Sequence, residues 1–137
     1  MSLSDAYEDL VLDHILGTTE LVFDATVFLA LGTDATPSKT TFTEVMTPTT
    51  GGYSRQAIVF NAAGTDGIAD NAAGTLTFGP CSGTAWSTVK SFAIWKDQTA
   101  TATANRITQG PLTDQTKVVG LGDSVTVAAG AITVTAT

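Results

Sequence analysis

From Val27 onward no apolar stretch of this chain runs for more than a few residues before glycine, proline, asparagine or aspartate interrupts it. A chain punctuated so often cannot extend long helices, but it can lay down short strands joined by turns. Val27, Leu29 and Leu31 alternate with Phe28 and Ala30, which predicts a strand buried on both faces. Tyr53 to Phe60 forms a second candidate, Leu76 and Phe78 a third, and Val89 to Trp95 a more continuous run suited to a central strand. Arg106 to Ile107, Lys117 to Val119, Ser124 to Ala128 and Ala131 to Thr135 complete the set. Between the first two lies a long loop from Gly32 to Gly52, with Pro37, Pro48 and a short edge segment at Thr41 to Val45. Loops of that length usually carry function or some structure of their own. The 26 threonines and 19 alanines among 137 residues suit thin, closely packed sheets. The pattern is that of an all-β protein, a single antiparallel sandwich or barrel.

The exception is the N-terminus. Leu3, Tyr7, Leu10, Val11, His14 and Ile15 recur at three- and four-residue spacing, with Asp5, Glu8, Asp9 and Asp13 between them. This predicts one amphipathic helix over Leu3 to Leu16, capped by Ser2 or Ser4 and closed by Gly17. A helix this short is marginal alone, so its apolar face must pack on its own sheet or on a neighbouring subunit. The chain therefore divides into a helix, 1–17, and a β-domain, 18–137; at this length a second core is not expected.

Charge narrows the function classes. Thirteen acids against six bases give a formal charge of -7. That is the wrong sign for binding nucleic acid or an anionic membrane surface. Seven of the acids, Asp5 to Asp34, fall in the first 38 residues, where there is no base. They form either a solvated face or a patch that docks on a basic surface of a larger assembly. The longest apolar run, Leu21 to Leu31, is broken by Asp24 and is too short to span a bilayer. One cysteine, Cys81, permits no internal disulfide, and no basic secretory leader precedes it, so folding in a reducing cytoplasm is expected.

No residue set assembles into a reaction centre. His14 is the one histidine, so no multi-histidine metal site or histidine triad with a second shell is available. Ser87 and Lys90 match a Ser-x-x-Lys string but fall in a strand, where they point to opposite faces. Gly120 to Asp123 suits a tight β-turn better than a phosphate loop, and Asp66, Asp70, Asn61 and Asn71 suit turns better than calcium ligation. No cofactor, metal or catalytic residue is expected. Trp86 and Trp95 read as core or subunit interface.

Taken in order, several segments resemble small virion proteins of tailed bacteriophages, described as head-decoration or tail-fibre proteins. They are Ser4-Asp5-Ala6-Tyr7-Glu8-Asp9, Val27-Phe28-Leu29-Ala30-Leu31, Gly51 to Phe60, and Asn71-Ala72-Ala73 with Leu76 to Pro80. Trp86 to Trp95, Gly122 to Val125 and Ala129 to Val134 follow. After Trp95 the relatives often carry an Asp-x-x-x-Gly-Gly turn, which is replaced here by Lys96-Asp97-Gln98-Thr99. The resemblance implies a jelly-roll-like β-sandwich present in multiple copies on a virion, with no catalytic residues. The expected role is a capsid decoration (cement) protein on the head surface, bound to the major capsid protein and self-associating as a homodimer or homotrimer. The alternative is a tail-fibre or receptor-binding module. Interface residues expected on this reading are Tyr7, Leu10, Tyr53, Arg55, Trp86 and Trp95. For Tyr53 and Arg55 a core cap and a local ion pair stand equally open.

Overall fold

The computed structural model describes residues 2–18, 20, 26–72 and 74–135. Within them the chain is mostly β and antiparallel throughout, with one α-helix. The first five residues of the Leu21 to Leu31 run, and the end of the C-terminal Thr-Ala run, lie outside the described residues.

A short strand β1 (Ser2–Leu3) leads into α1 (Asp5–Ile15). Then come β2 (Val27–Gly32), β3 (Gln56–Ile58), β4 (Ile68–Asp70), β5 (Leu76–Phe78), β6 (Trp86–Val89) and β7 (Ser91–Trp95). A 3-10 turn (Thr103–Asn105) precedes β8 (Arg106–Pro111), β9 (Lys117–Val119), β10 (Val125–Val127) and β11 (Thr133–Thr135). The main sheet has the order β1-β8-β7-β2-β3, and β10-β5, β11-β4 and β6-β9 form two-stranded ribbons.

The register explains the layers. Cross-strand partners share a face, so the pairs Leu29 with Ile94 and Leu31 with Phe92 place four large apolar side chains on one side of the main sheet. They join Phe78 from β5, Trp86 and Val89 from β6, Val119 from β9 and Val125 from β10 in one core. The ribbons thus close over the sheet as the second layer of a sandwich, and no closed barrel forms. Each such side chain, fully buried, contributes roughly 1.5–3 kcal/mol of apolar transfer. The other side of β2 and β7 carries Ala30, Ala93 and Trp95, all buried, with Phe42 packed on them from the long loop. Both faces of β2 are therefore covered, as its unbroken apolar sequence predicts.

Several boundaries differ from the sequence pattern. Leu3 pairs with Thr108 in β1 and is not helical, because Ser4 donates its N–H to Ile107 O and begins α1 only after that bond. Ser4 occupies the cap position without a side-chain cap bond, while Gly17 (φ 72°) follows the helix end as expected. The run from Trp86 to Trp95 splits at Lys90, whose N–H bonds Gly32 O and whose carbonyl takes Leu112 N–H, turning the chain from a ribbon into the main sheet. Ile68–Asp70 is a strand inside an expected loop, since its partner β11 lies far along the chain. The Tyr53 to Phe60 strand shrinks to Gln56–Ile58, and Thr41 to Val45 to a single bridge between Gly32 and Glu44.

Candidate docking surface

Four of the six expected interface residues lie inside the chain. Tyr53 and Arg55 are each 1% exposed, Trp86 3% and Trp95 4%, so a partner has no surface of theirs to reach. The structure corrects the interface expectation for these four and shows the core cap and local ion pair instead. Glu44 explains why. Its Oε1 accepts from Tyr53 Oη (2.8 Å) and Arg55 Nε (3.0 Å), and its Oε2 from Arg55 Nη2 (2.5 Å). Tyr53 Oη in turn accepts the Leu31 N–H at 3.0 Å. Arg55 Nη1 donates to the carbonyls of Asp97 and Ala100, both at 2.8 Å, and its guanidinium lies 3.8 Å from the centre of the Trp95 ring. This bidentate geometry is what a planar guanidinium is built for. The cluster clamps the long loop and the turn after β7 onto the back of the sheet. Burial, with Glu44 beside it, pushes the Tyr53 phenol well above its ordinary pKa, so it stays a hydrogen-bond donor.

Trp86 serves the front layer. Its indole N–H donates to Gly51 O (2.9 Å), and its ring meets Tyr53 edge-on at 5.4 Å. Other chemistry-bearing candidates are engaged locally. Cys81 is buried against Thr84 O; Asn61 bonds Asp70; Asn71 ties Ala128 to Ile132; Asp123 closes its turn on Gly120 N–H. Among the described residues no group of three or more histidine, cysteine or acidic side chains is placed to hold a metal ion, and no helix is long and apolar enough to cross a membrane.

The surface that remains is α1. None of its eleven residues is buried. Tyr7 and Leu10, the other two expected interface residues, are half-buried. The outward arc is apolar as well: Val11 is 36% exposed, Leu12 54%, Ile15 72% and, at the cap, Leu16 66%. Exposed aliphatics scattered singly are ordinary, but four within six residues of one element form a patch. Asp9 stands three residues before Leu12 and Asp13 three before Leu16, so acid and aliphatic share one stripe. Lys39, from the long loop, grips the first turn through Asp5 (3.1 Å) and Glu8. Leu12 and Leu16 escape a search for one apolar stripe, because they fall on the side that the acids mark as polar.

A second apolar feature is a groove of about 580 Å³ between β7, β10 and the 112–117 segment, lined by Leu31, Val89, Phe92, Leu112, Val125 and Ile132, with Lys117 and Asp114 at its edge. A smaller cavity of about 280 Å³ adjoins it across Phe92, Leu112 and Ala131.

An acidic helix with aliphatic side chains facing out of a β-sandwich suits a subunit of an assembly. The family described as podophage GP4 fiber I protein gp80 matches residues 2–135. The chain belongs to this family. As a gp80 family member it is a small bacteriophage virion protein of the structural, fibre-type class, in line with the resemblance read from its segments. No curated protein matches the chain.

Proposed function

We propose that this protein is a structural subunit of a phage fibre that performs no reaction and joins its neighbours in the virion through α1. The observation that carries the reading is α1 itself, a helix with no buried residue that turns Leu12, Ile15 and Leu16 to solvent. Such a face is costly to leave exposed and gains by being covered in an assembly. The family description, a fibre protein, is in keeping with this reading. Tyr7 and Leu10, half-buried beside that face, belong to the same contact zone.

The test is to build phage whose copy carries Leu12→Asp and Ile15→Asp and to count the protein on purified particles. Loss of the protein from particles, with an unchanged melting curve of the purified variant, is the expected result; full occupancy overturns it. A second reading, a head-surface cement protein bound to the major capsid protein, is favoured by the compact body, which has no shaft-like segment among the described residues. Electron microscopy of labelled particles separates the two readings. A few copies at the tail support the fibre, and hundreds over the head support the cement protein.

A further inference from the structure

α1 is held to the body at its start and stands clear of it at its end. Lys39 grips Asp5 and Glu8, and Ala6, Tyr7 and Leu10 are half-buried, but every residue from Val11 to Thr18 is exposed. At about 3.6 residues per turn, Val11, Leu12, Ile15 and Leu16 share one arc of this projecting end, and Asp9 and Asp13 run along its edge. Leu12, Ile15 and Leu16 have the i, i+3, i+4 spacing of side chains that anchor a helix in an apolar groove. The two acids on the edge do little for the helix itself. Asp13 lies in the last turn, where a negative charge opposes the helix dipole, and Lys39 pairs with Asp5 and Glu8 instead.

The chain's own bases do not answer this charge. Of the six, Arg55 and Arg106 are buried, and Lys39 is already engaged. Lys90 is half-buried, Lys117 shares its surface with Asp114, and Lys96 is followed directly by Asp97. A second copy laid against α1 therefore brings mostly acid to acid, in a chain whose net charge is already -7. An anionic membrane is rejected by the same sign.

We propose that the projecting end of α1 inserts into an apolar groove with a basic rim on a different virion protein, with Leu12, Ile15 and Leu16 as the anchors and Asp9 and Asp13 facing lysines or arginines of that rim. This rests on the fibre-subunit reading and deepens it by stating the partner's chemistry. The aliphatics supply affinity, and the acids speed encounter and turn away acidic surfaces.

The experiment adds the purified full chain back to particles produced without it and follows rebinding at low and high salt. The parent is compared with Asp9→Asn plus Asp13→Asn and with Leu12→Asp plus Ile15→Asp, with circular dichroism confirming that each is folded. The parent is expected to associate about tenfold faster at low salt than at high salt. The neutralised variant is expected to lose most of that gain at low salt and to match the parent at high salt. A neutralised variant that rebinds like the parent at low salt overturns the basic rim. A parent that fails to rebind overturns the inference too, since a helix that already projects needs no co-assembly to dock. In sedimentation velocity the parent and Leu12→Asp plus Ile15→Asp are expected to have the same oligomeric state; a larger parent assigns α1 to a second copy and overturns the inference. If Leu12→Asp plus Ile15→Asp rebinds at the parent's level, the fibre-subunit reading fails as well. If that variant is lost while the neutralised one rebinds fully, that reading stands and only the basic partner fails.

Discussion

The two sides of β2 and β7 are built from the same ten or so residues and closed in opposite ways. On the front, Leu29, Leu31, Phe92 and Ile94 meet the apolar side chains of the ribbons. On the back, Ala30 and Ala93 leave room for Trp95, the Arg55 guanidinium above it, and Phe42 against Arg106 at 5.5 Å. The front needs only area and shape, since apolar burial has no direction. The back depends on geometry: a guanidinium and a carboxylate leave water only if nearly every donor finds an acceptor. Arg55 meets that condition, whereas Ser91 Oγ and Trp95 Nε1 make no hydrogen bond among the described residues. The back therefore holds the long loop in one place and contributes less net stability than its density of contacts suggests.

The sharpest way to break this comparison is to remove one partner of the buried pair. Arg55→Ala leaves Glu44 without its countercharge and is expected to cost about 3–5 kcal/mol in chemical denaturation, whereas Glu44→Leu with Arg55→Met is expected to recover much of that loss. A double variant whose loss equals the sum of the two single-variant losses shows the pair to be uncoupled. On the front, Leu29→Ala removes a fully buried side chain and is expected to cost about 2–5 kcal/mol, with no double variant that restores it short of refilling the space.

A smaller effect is expected at Gly32, where the back is tightest. A Cβ there meets Phe42 Cε2 and Ser91 Oγ, each at 2.5 Å, so Gly32→Ala pushes the loop off the sheet at a cost of about 1–3 kcal/mol. Pairing it with Phe42→Leu is expected to relieve part of the loss, and a failure to do so places the strain elsewhere.

Acid probes the turn that receives Arg55. Hydrogen bonds from the Thr99 and Ala100 N–H groups hold the Asp97 carboxyl below its ordinary pKa. A folded pKa lowered in this way adds stability above the unfolded value, about 3.9, which is lost as pH falls through the folded value. The melting temperatures of the parent and Asp97→Asn are expected to differ modestly at neutral pH and to converge below about pH 4; a constant gap contradicts this role. Least of all, Lys39→Ala is expected to leave melting unchanged and to speed hydrogen exchange in the first turn of α1, because its bridges to Asp5 and Glu8 are exposed.

Much of this protein was legible in the residues. Alternation in Val27 to Leu31 and Leu76 to Phe78, and the turn signals between the runs, give the front of the sandwich, because period-two burial and turn chemistry are local properties. Asp5, Glu8, Asp9 and Asp13, set between apolar residues at three- and four-residue spacing, announce a charged N-terminal helix for the same reason. The clamp was not legible: Glu44 and Arg55 are eleven residues apart with no pattern linking them, and Arg55 reaches carbonyls more than forty positions further on. Tyr53, Arg55 and Trp95 are residue types that fit an interface and a buried cluster equally well, so composition could not decide between the two. The fold decided it by bringing Glu44 back to bridge Gly32. What the sequence determined by itself is therefore what depends on neighbours a few residues apart, and what only the tertiary structure decided is which distant groups share a low-dielectric space, where a buried charge must find its partner.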